Sequence, residues 1–195
     1  MFLIGVLDDL KIKISPSRRL ILMVIFLFLC IRFIPIEILN VDIPFLTTLL
    51  KNNTFSSLFV LLCFLFVING ANLIDGFNGL LAINLIIINS ILAYINLADG
   101  INEFSVVIIG QIIVLFSFLL FNFPSAKIFL GDSGSYFLGS LVALNVIITN
   151  NLNPDYSSFF FCTLLFYLFF EVFFSFFRKI VQKKSPIHPD DKHLH

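Results

Sequence analysis

Four short polar sequences interrupt an otherwise apolar chain, and the residues best suited to chemistry lie in them. GVLDDL (5–10) carries Asp8 and Asp9, NGANLIDGFNG (69–79) carries Asn72 and Asp75, FPSAKIFLGDSGS (123–135) carries Lys127 and Asp132, and SPIHPDDKHLH (185–195) carries His188, His193 and His195. Carboxylates with a side-chain amide are hard oxygen donors, which favour Mg²⁺ or Mn²⁺ over zinc. Magnesium commonly takes only one or two protein oxygens and fills its shell with water and substrate phosphates, so one Asp and one Asn are enough. Lysine and histidine beside such a centre suit an anionic substrate. Glycines flank both acids, Gly131 and Gly134 around Asp132 and Gly76 and Gly79 around Asp75, which permits tight turns and close approach of a ligand to backbone amides.

The elements that must position these residues are apolar. Hydrophobic residues make up 59% of the chain and charged residues 12%, and the mean hydropathy is +1.04. That is too little polar surface to coat a water-soluble globule, so the lipid bilayer is the expected surroundings. Lys plus Arg equals Asp plus Glu at 12 each, which argues against nucleic acid or another polyanion as partner. Cys30, Cys63 and Cys162 each lie in an apolar run without metal-ligand spacing and read as small buried hydrophobes. The first seven residues lack the basic start and cleavage site of a signal peptide.

Six apolar runs are candidates to cross the bilayer: 20–36, 55–68, 80–97, 104–121, 136–148 and 157–177. The second and fifth are short and need flanking residues such as Gly70 and Ala71, or Leu130 and Asn150. Spanning segments must satisfy their own backbone hydrogen bonds and no strand alternation is visible, so the expected fold is all-α, a polytopic membrane helix bundle of about six transmembrane helices. If the chain crosses at each run, the four polar sequences fall on one side. Ten of the twelve basic residues fall there too (Lys11, Lys13, Arg18, Arg19, Lys127, Arg178, Lys179, Lys183, Lys184, Lys192), and only Arg32 and Lys51 approach the other side. The positive-inside rule makes the first side cytoplasmic. Residues 1–195 show no internal repeat or linker and read as a single integral-membrane domain.

The DD pair (8, 9), NLIDGFNGL (72–80), FPSAKIFLGDSGSYFLG (123–139) and the PDxxHxH end (189–195), in this order, resemble the polyprenyl-phosphate N-acetylhexosamine-1-phosphate transferase family, glycosyltransferase family 4. The PDDKHLH end is more similar to the GlcNAc-1-phosphate transferase branch than to the MurNAc-pentapeptide branch. The resemblance implies transfer of a sugar 1-phosphate from a UDP-N-acetylhexosamine to undecaprenyl phosphate with release of UMP, a first membrane step of cell-surface glycan synthesis in a bacterial inner membrane. It further implies Mg²⁺, with Mn²⁺ as a substitute, on Asn72 and Asp132, a catalytic role for Asp8 and Asp9 at the carrier phosphate, and substrate contacts from Asp75, Lys127, His193 and His195. A homodimer is compatible with it. It also implies more spans than six, so the sequence reads as part of a longer transferase.

Each residue has a plainer reading. Asp75 suits a helix end, Lys127, Arg18 and Arg19 suit membrane anchors, with the carrier phosphate as the alternative for the two arginines, and the histidines suit a solvated tail. Glu171, inside the last run and seven residues before Arg178, suits an ion pair. A rival reading from another class is a transporter whose Asp75, Asp132 and Glu171 form an ion path; it expects acids near mid-membrane, whereas the main acids cluster at one edge beside Gly, Lys and His.

Overall fold

A backbone polar group has no water to turn to in hydrocarbon, so an apolar run has to satisfy itself as a helix. The computed structural model describes residues 1–10, 15–34, 36–39 and 41–182, and these form helices without strands. The helices are α1 (Phe2–Asp9), α2 (Pro16–Phe33), α3 (Pro44–Leu50), α4 (Asn53–Ile74), α5 (Leu80–Ala98), α6 (Asn102–Asn122), α7 (Gly131–Leu152), α8 (Ser158–Leu164) and α9 (Phe166–Val181).

Among the described residues four helices, α4 to α7, are long and apolar enough to cross a membrane, and α8 with α9, bent by 65° at their junction, make a fifth if taken as one span. The chain is therefore a multi-pass helical membrane protein with a count somewhat below the expected six. The difference lies at α2. Its eighteen residues include Arg18, Arg19 and Arg32, and three charges suit hydrocarbon less well than the uncharged run 20–31 suggests. The two short runs do borrow their flanks: 55–68 grows into α4 and 136–148 into α7, which carries Asn72 and Asp132 into helical turns.

Helix α4 is the hub, packing against α7, α9 and α2, while α7 also receives α1 and α5, and α5 packs on α6. Ile68, Ala71 and Ile74 of α4, Leu85 and Leu92 of α5, Val142 of α7 and Leu168 of α9 are buried where these helices meet. Leu120, Val114 and Phe116 of α6 are exposed, as a lipid-facing surface should be. Because lipid gives little hydrophobic drive for helix association, polar side chains contribute the specificity. Asn145 of α7 donates to Asn89 of α5 at 3.1 Å and to Gln111 of α6 at 2.7 Å. Further along, Asn153 donates to Asn96 at 2.9 Å and Asn96 donates to Thr149 at 3.0 Å.

The functional consequence is one of ends. Asp8 and Asp9 close α1, Arg19 opens α2, Asp75 follows α4 and Asp132 opens α7. The expected gathering of polar sequences at one end of the bundle is met for the described residues. The opposite end is tied separately, by Asn151 donating to Glu37 O at 2.6 Å and by Asp42 accepting from Ser158 N at 2.7 Å.

Candidate active site

Residues 2–7 are an apolar stretch too short to cross a membrane, and they form most of α1, which packs on α7. It lies so close to α7 that a Cβ on Gly5 would fall 2.3 Å from the Cα of Ser133. This contact delivers Asp8 and Asp9 to the start of α7. The N-cap position of α7 is Leu130, whose side chain offers no cap. Asp9 supplies one from the other helix: its Oδ1 accepts the backbone N–H of Asp132 at 2.9 Å and its Oδ2 that of Ser133 at 3.0 Å. An anion there satisfies orphan donors and faces the positive end of the helix dipole. Gly131 is the residue that makes room, since its φ is +65° and a Cβ would lie 2.8 Å from both Asp9 carboxylate oxygens. Partial burial pulls the Asp9 carboxyl upward, but the hydrogen bonds from Ser133 and Asp132 outweigh it and leave Asp9 below its ordinary value.

Asp132, in the first turn of α7, is the point where three helices meet. Asn72 Nδ2 of α4 donates to its Oδ1 at 2.7 Å and to Ser135 Oγ at 3.0 Å. Arg19 Nη1 of α2 donates to its Oδ2 at 2.7 Å and also to Asp8 Oδ2. The Tyr136 hydroxyl donates to the same Oδ2 at 3.4 Å, and the Arg19 guanidinium sits over the Tyr136 ring, 5.8 Å from its centre. Asp75 stands beside this group at the end of α4, half-buried. Burial first, then the charges of Asp132 and Asp9, push its carboxyl up to about 7.

Of the residues singled out from the sequence, Asp8, Asp9, Asn72 and Asp132 are thus brought together, with Asp75 next to them. Lys127 is exposed on the loop before α7, held through its backbone N–H to Phe121 O at 2.8 Å, and stands outside this cluster. His193 and His195 lie outside the described residues, as does His188. Arg19 is the group that sequence reasoning underrated. Only helix phase separates it from Arg18: with Ser15 as N-cap and Pro16 in the first position, Arg18 is exposed and Arg19 turns inward.

Arg19 and Asn72 also line a cavity of ≈ 440 Å³ between α2, α4 and α9. Its polar lining includes Asn69 and Lys179, while Met23, Phe66 and Phe176 contribute an apolar wall. A ligand with an anionic head and a hydrocarbon tail matches both parts.

No group of three or more His, Cys, Asp or Glu stands ready to hold a metal among the described residues. The residue types nonetheless suit Mg²⁺: carboxylates and hydroxyls meet here, and Asn72, which reaches Asp132 and Ser135 through its Nδ2, would offer its amide oxygen to the same place after a turn of the side-chain amide.

The profile of the family described as Glycosyl transferase family 4 matches residues 1–150 of the chain. The chain is 32% identical to an undecaprenyl-phosphate alpha-N-acetylglucosaminyl 1-phosphate transferase of Thermotoga maritima, an alignment covering 100% of this chain and 57% of that protein. It is 35% identical to a phospho-N-acetylmuramoyl-pentapeptide-transferase of Streptococcus thermophilus over 73% of this chain and 44% of that one. A protein with the same name from Clostridium perfringens is 30% identical over 74% of this chain and 48% of its own. The chain thus spans about half the length of these relatives.

Proposed function

Because the chain belongs to glycosyl transferase family 4, we propose that its protein transfers a sugar 1-phosphate, an N-acetylhexosamine 1-phosphate, from a UDP-sugar to undecaprenyl phosphate. The names of its relatives support the phospho-sugar chemistry and the polyprenyl carrier. The observation that carries the reading is the meeting of Asp8, Arg19, Asn72 and Asp132 at a cavity with a polar and an apolar part.

In this reaction a phosphate oxygen of the carrier attacks the phosphorus that bears the sugar. The new P–O bond makes a lipid-linked diphosphate, and the bond to UMP breaks with its electron pair leaving on UMP. Asp132 and Asn72 would hold Mg²⁺, which when bound neutralises diphosphate charge and so stabilises the transition state. The chain's own residues do the positioning. Asp8, whose carboxylate faces Arg19 rather than the backbone, orients the carrier phosphate and accepts its proton. Asp9 has its carboxylate committed to the start of α7 and acts by holding Asp132 in place. Arg19 and Lys179 offer cationic partners for phosphate where the cavity is polar. Asp75 and Lys127 remain candidates for the sugar-nucleotide side, and so do His193 and His195. The end of the bundle with these residues is taken as cytoplasmic and the membrane as a bacterial inner membrane, since UDP-sugars are made inside and the basic residues favour that side.

The alternative of an ion path finds less support. Asp75 and Asp132 stand at helix ends on one edge, not along a route through the bundle.

The test is transfer of radiolabelled sugar phosphate from UDP-GlcNAc, UDP-GalNAc or UDP-MurNAc-pentapeptide to undecaprenyl phosphate in membranes expressing the protein, with and without Mg²⁺. Metal-dependent lipid product that disappears in Asp132→Ala is the expected result. Absence of product from all three donors would overturn the assignment.

A further inference from the structure

Asp8 and Asp132 come from α1 and α7, yet the cation joining them comes from α2. Arg19 Nη1 donates to Oδ2 of both acids, Tyr136 donates to that same Oδ2 of Asp132, and Asn72 donates to its Oδ1. Both oxygens of Asp132 are therefore held by protein donors. Two carboxylates brought together at a membrane edge repel unless a cation lies between them. One guanidinium nitrogen, Nη1, serves both carboxylates, and the Tyr136 ring under the planar group gives it a seat.

We propose that Arg19 is a built-in counter-cation: it holds Asp8 and Asp132 together while no metal is bound, and it has to give up Asp132 Oδ2 for a divalent cation to be held there. The idea rests on the metal-site reading above. Its physical content is competition. The oxygen that Arg19 occupies is one that a divalent cation needs, so the protein binds metal more weakly with Arg19 than without it. The start of α2 is fixed by the Ser15 cap and Pro16, so a displaced Arg19 side chain stays tethered beside the cavity it already lines. An Arg19 side chain released from Asp132 would then be a cation available for phosphate, which would couple occupancy of the metal site to affinity for an anionic headgroup.

The proposal reverses the usual expectation that removing a side chain from a site weakens what the site binds, and this makes it testable without turnover. Mn²⁺ binding to the whole chain in nanodiscs is read by electron paramagnetic resonance in the absence of substrates. Arg19→Gln should bind Mn²⁺ roughly tenfold more tightly than wild type, the scale of releasing one charge-assisted hydrogen bond. Arg18→Gln removes the same charge from an exposed neighbour and should change affinity by less than about twofold, because salt screens exposed charge. Arg19→Lys should fall between, since an ammonium keeps the charge but lacks the planar group that stacks on Tyr136. Asp132→Asn should abolish binding in each background. If Arg19→Gln binds Mn²⁺ no more tightly than wild type while Asp132→Asn abolishes binding, the counter-cation role is wrong and the metal site survives. If wild type and Arg19→Gln both fail to bind Mn²⁺, both readings fall. Should Arg19→Gln not fold, as judged by its melting curve, the order of Arg19→Lys and wild type decides: Lys tighter supports the proposal, Lys equal or weaker overturns it.

Discussion

The carboxylate of Asp9 caps a helix to which it does not belong, its Oδ1 accepting the backbone N–H of Asp132 at 2.9 Å. The two neighbouring acids of the DD pair therefore have different partners, Asp8 a guanidinium and Asp9 a helix terminus. Asp9→Ala should lower stability by about 0.5–2 kcal/mol, the range for loss of a cap, and reduce transfer with it. Asp9→Asn keeps an acceptor oxygen and should recover most of that stability. Asp8→Asn should instead cost activity while leaving the melting temperature within a few degrees of wild type, because a partly exposed ion pair contributes about 0–1 kcal/mol. Thermal unfolding and transfer assays on the same detergent-solubilised samples separate the two roles.

Gly5 sets the distance between α1 and α7. Since a Cβ there would fall 2.3 Å from Ser133 Cα, Gly5→Ala must push α1 outward and carry Asp8 and Asp9 with it. A displacement of about 1 Å in a positioned site can cost on the order of 100-fold in rate, so transfer should collapse while far-ultraviolet circular dichroism stays near that of wild type. Full activity in Gly5→Ala would mean that α1 does not deliver the acids.

The Asp75 carboxyl, pushed up to about 7 from an ordinary 3.8 by burial and then by Asp132 and Asp9, carries a sign that can be read in stability. A carboxyl whose folded value is raised keeps its proton in the fold after the unfolded chain has lost it. Stability should fall as pH rises between about 4 and about 7, then level off. Asp75→Asn removes the penalty, so it should melt higher than wild type at pH 8, with the gain shrinking toward pH 5. An equal gain at both values would contradict this account.

The amide ladder between α5, α6 and α7 should behave as packing and not as chemistry. Asn145→Leu leaves Asn89 and Gln111 without their shared partner. Interhelical hydrogen bonds in membranes are worth about 0.6 kcal/mol each and up to about 1.7, so destabilisation of roughly 1–2 kcal/mol is expected, with metal dependence and substrate preference unchanged below the melting transition.

Helices α5 and α6 were legible almost to their ends, because 80–97 and 104–121 are long uncharged runs bounded by Gly79, Gly100 and Pro124, and nothing tertiary competes with that signal. That Asn72 and Asp132 share one side followed from counting crossings between motifs, and their pairing was implied by the family resemblance. What was not legible depends on partners. Residues 2–9 become a helix only because Gly5 meets Ser133, and Arg19 differs from Arg18 only through the phase set by Ser15 and Pro16. The split between Asp8 and Asp9 follows from Leu130 having no cap of its own. The run 157–177 gave no sign of its break, since Leu165 continues an apolar stretch without Gly or Pro.

Helices α2 and α9 both pack on α4, and the cavity lies among the three. On the proposed function the carrier reaches this cavity by diffusing in the plane of the membrane, so the search for the site is two-dimensional. The relevant concentration is then the number of carrier molecules per unit of membrane area. Adding inert lipid at fixed amounts of enzyme and carrier should slow transfer, whereas diluting the aqueous phase should matter only through the nucleotide sugar. On the proposed function, flux through the enzyme would follow the density of carrier in the leaflet.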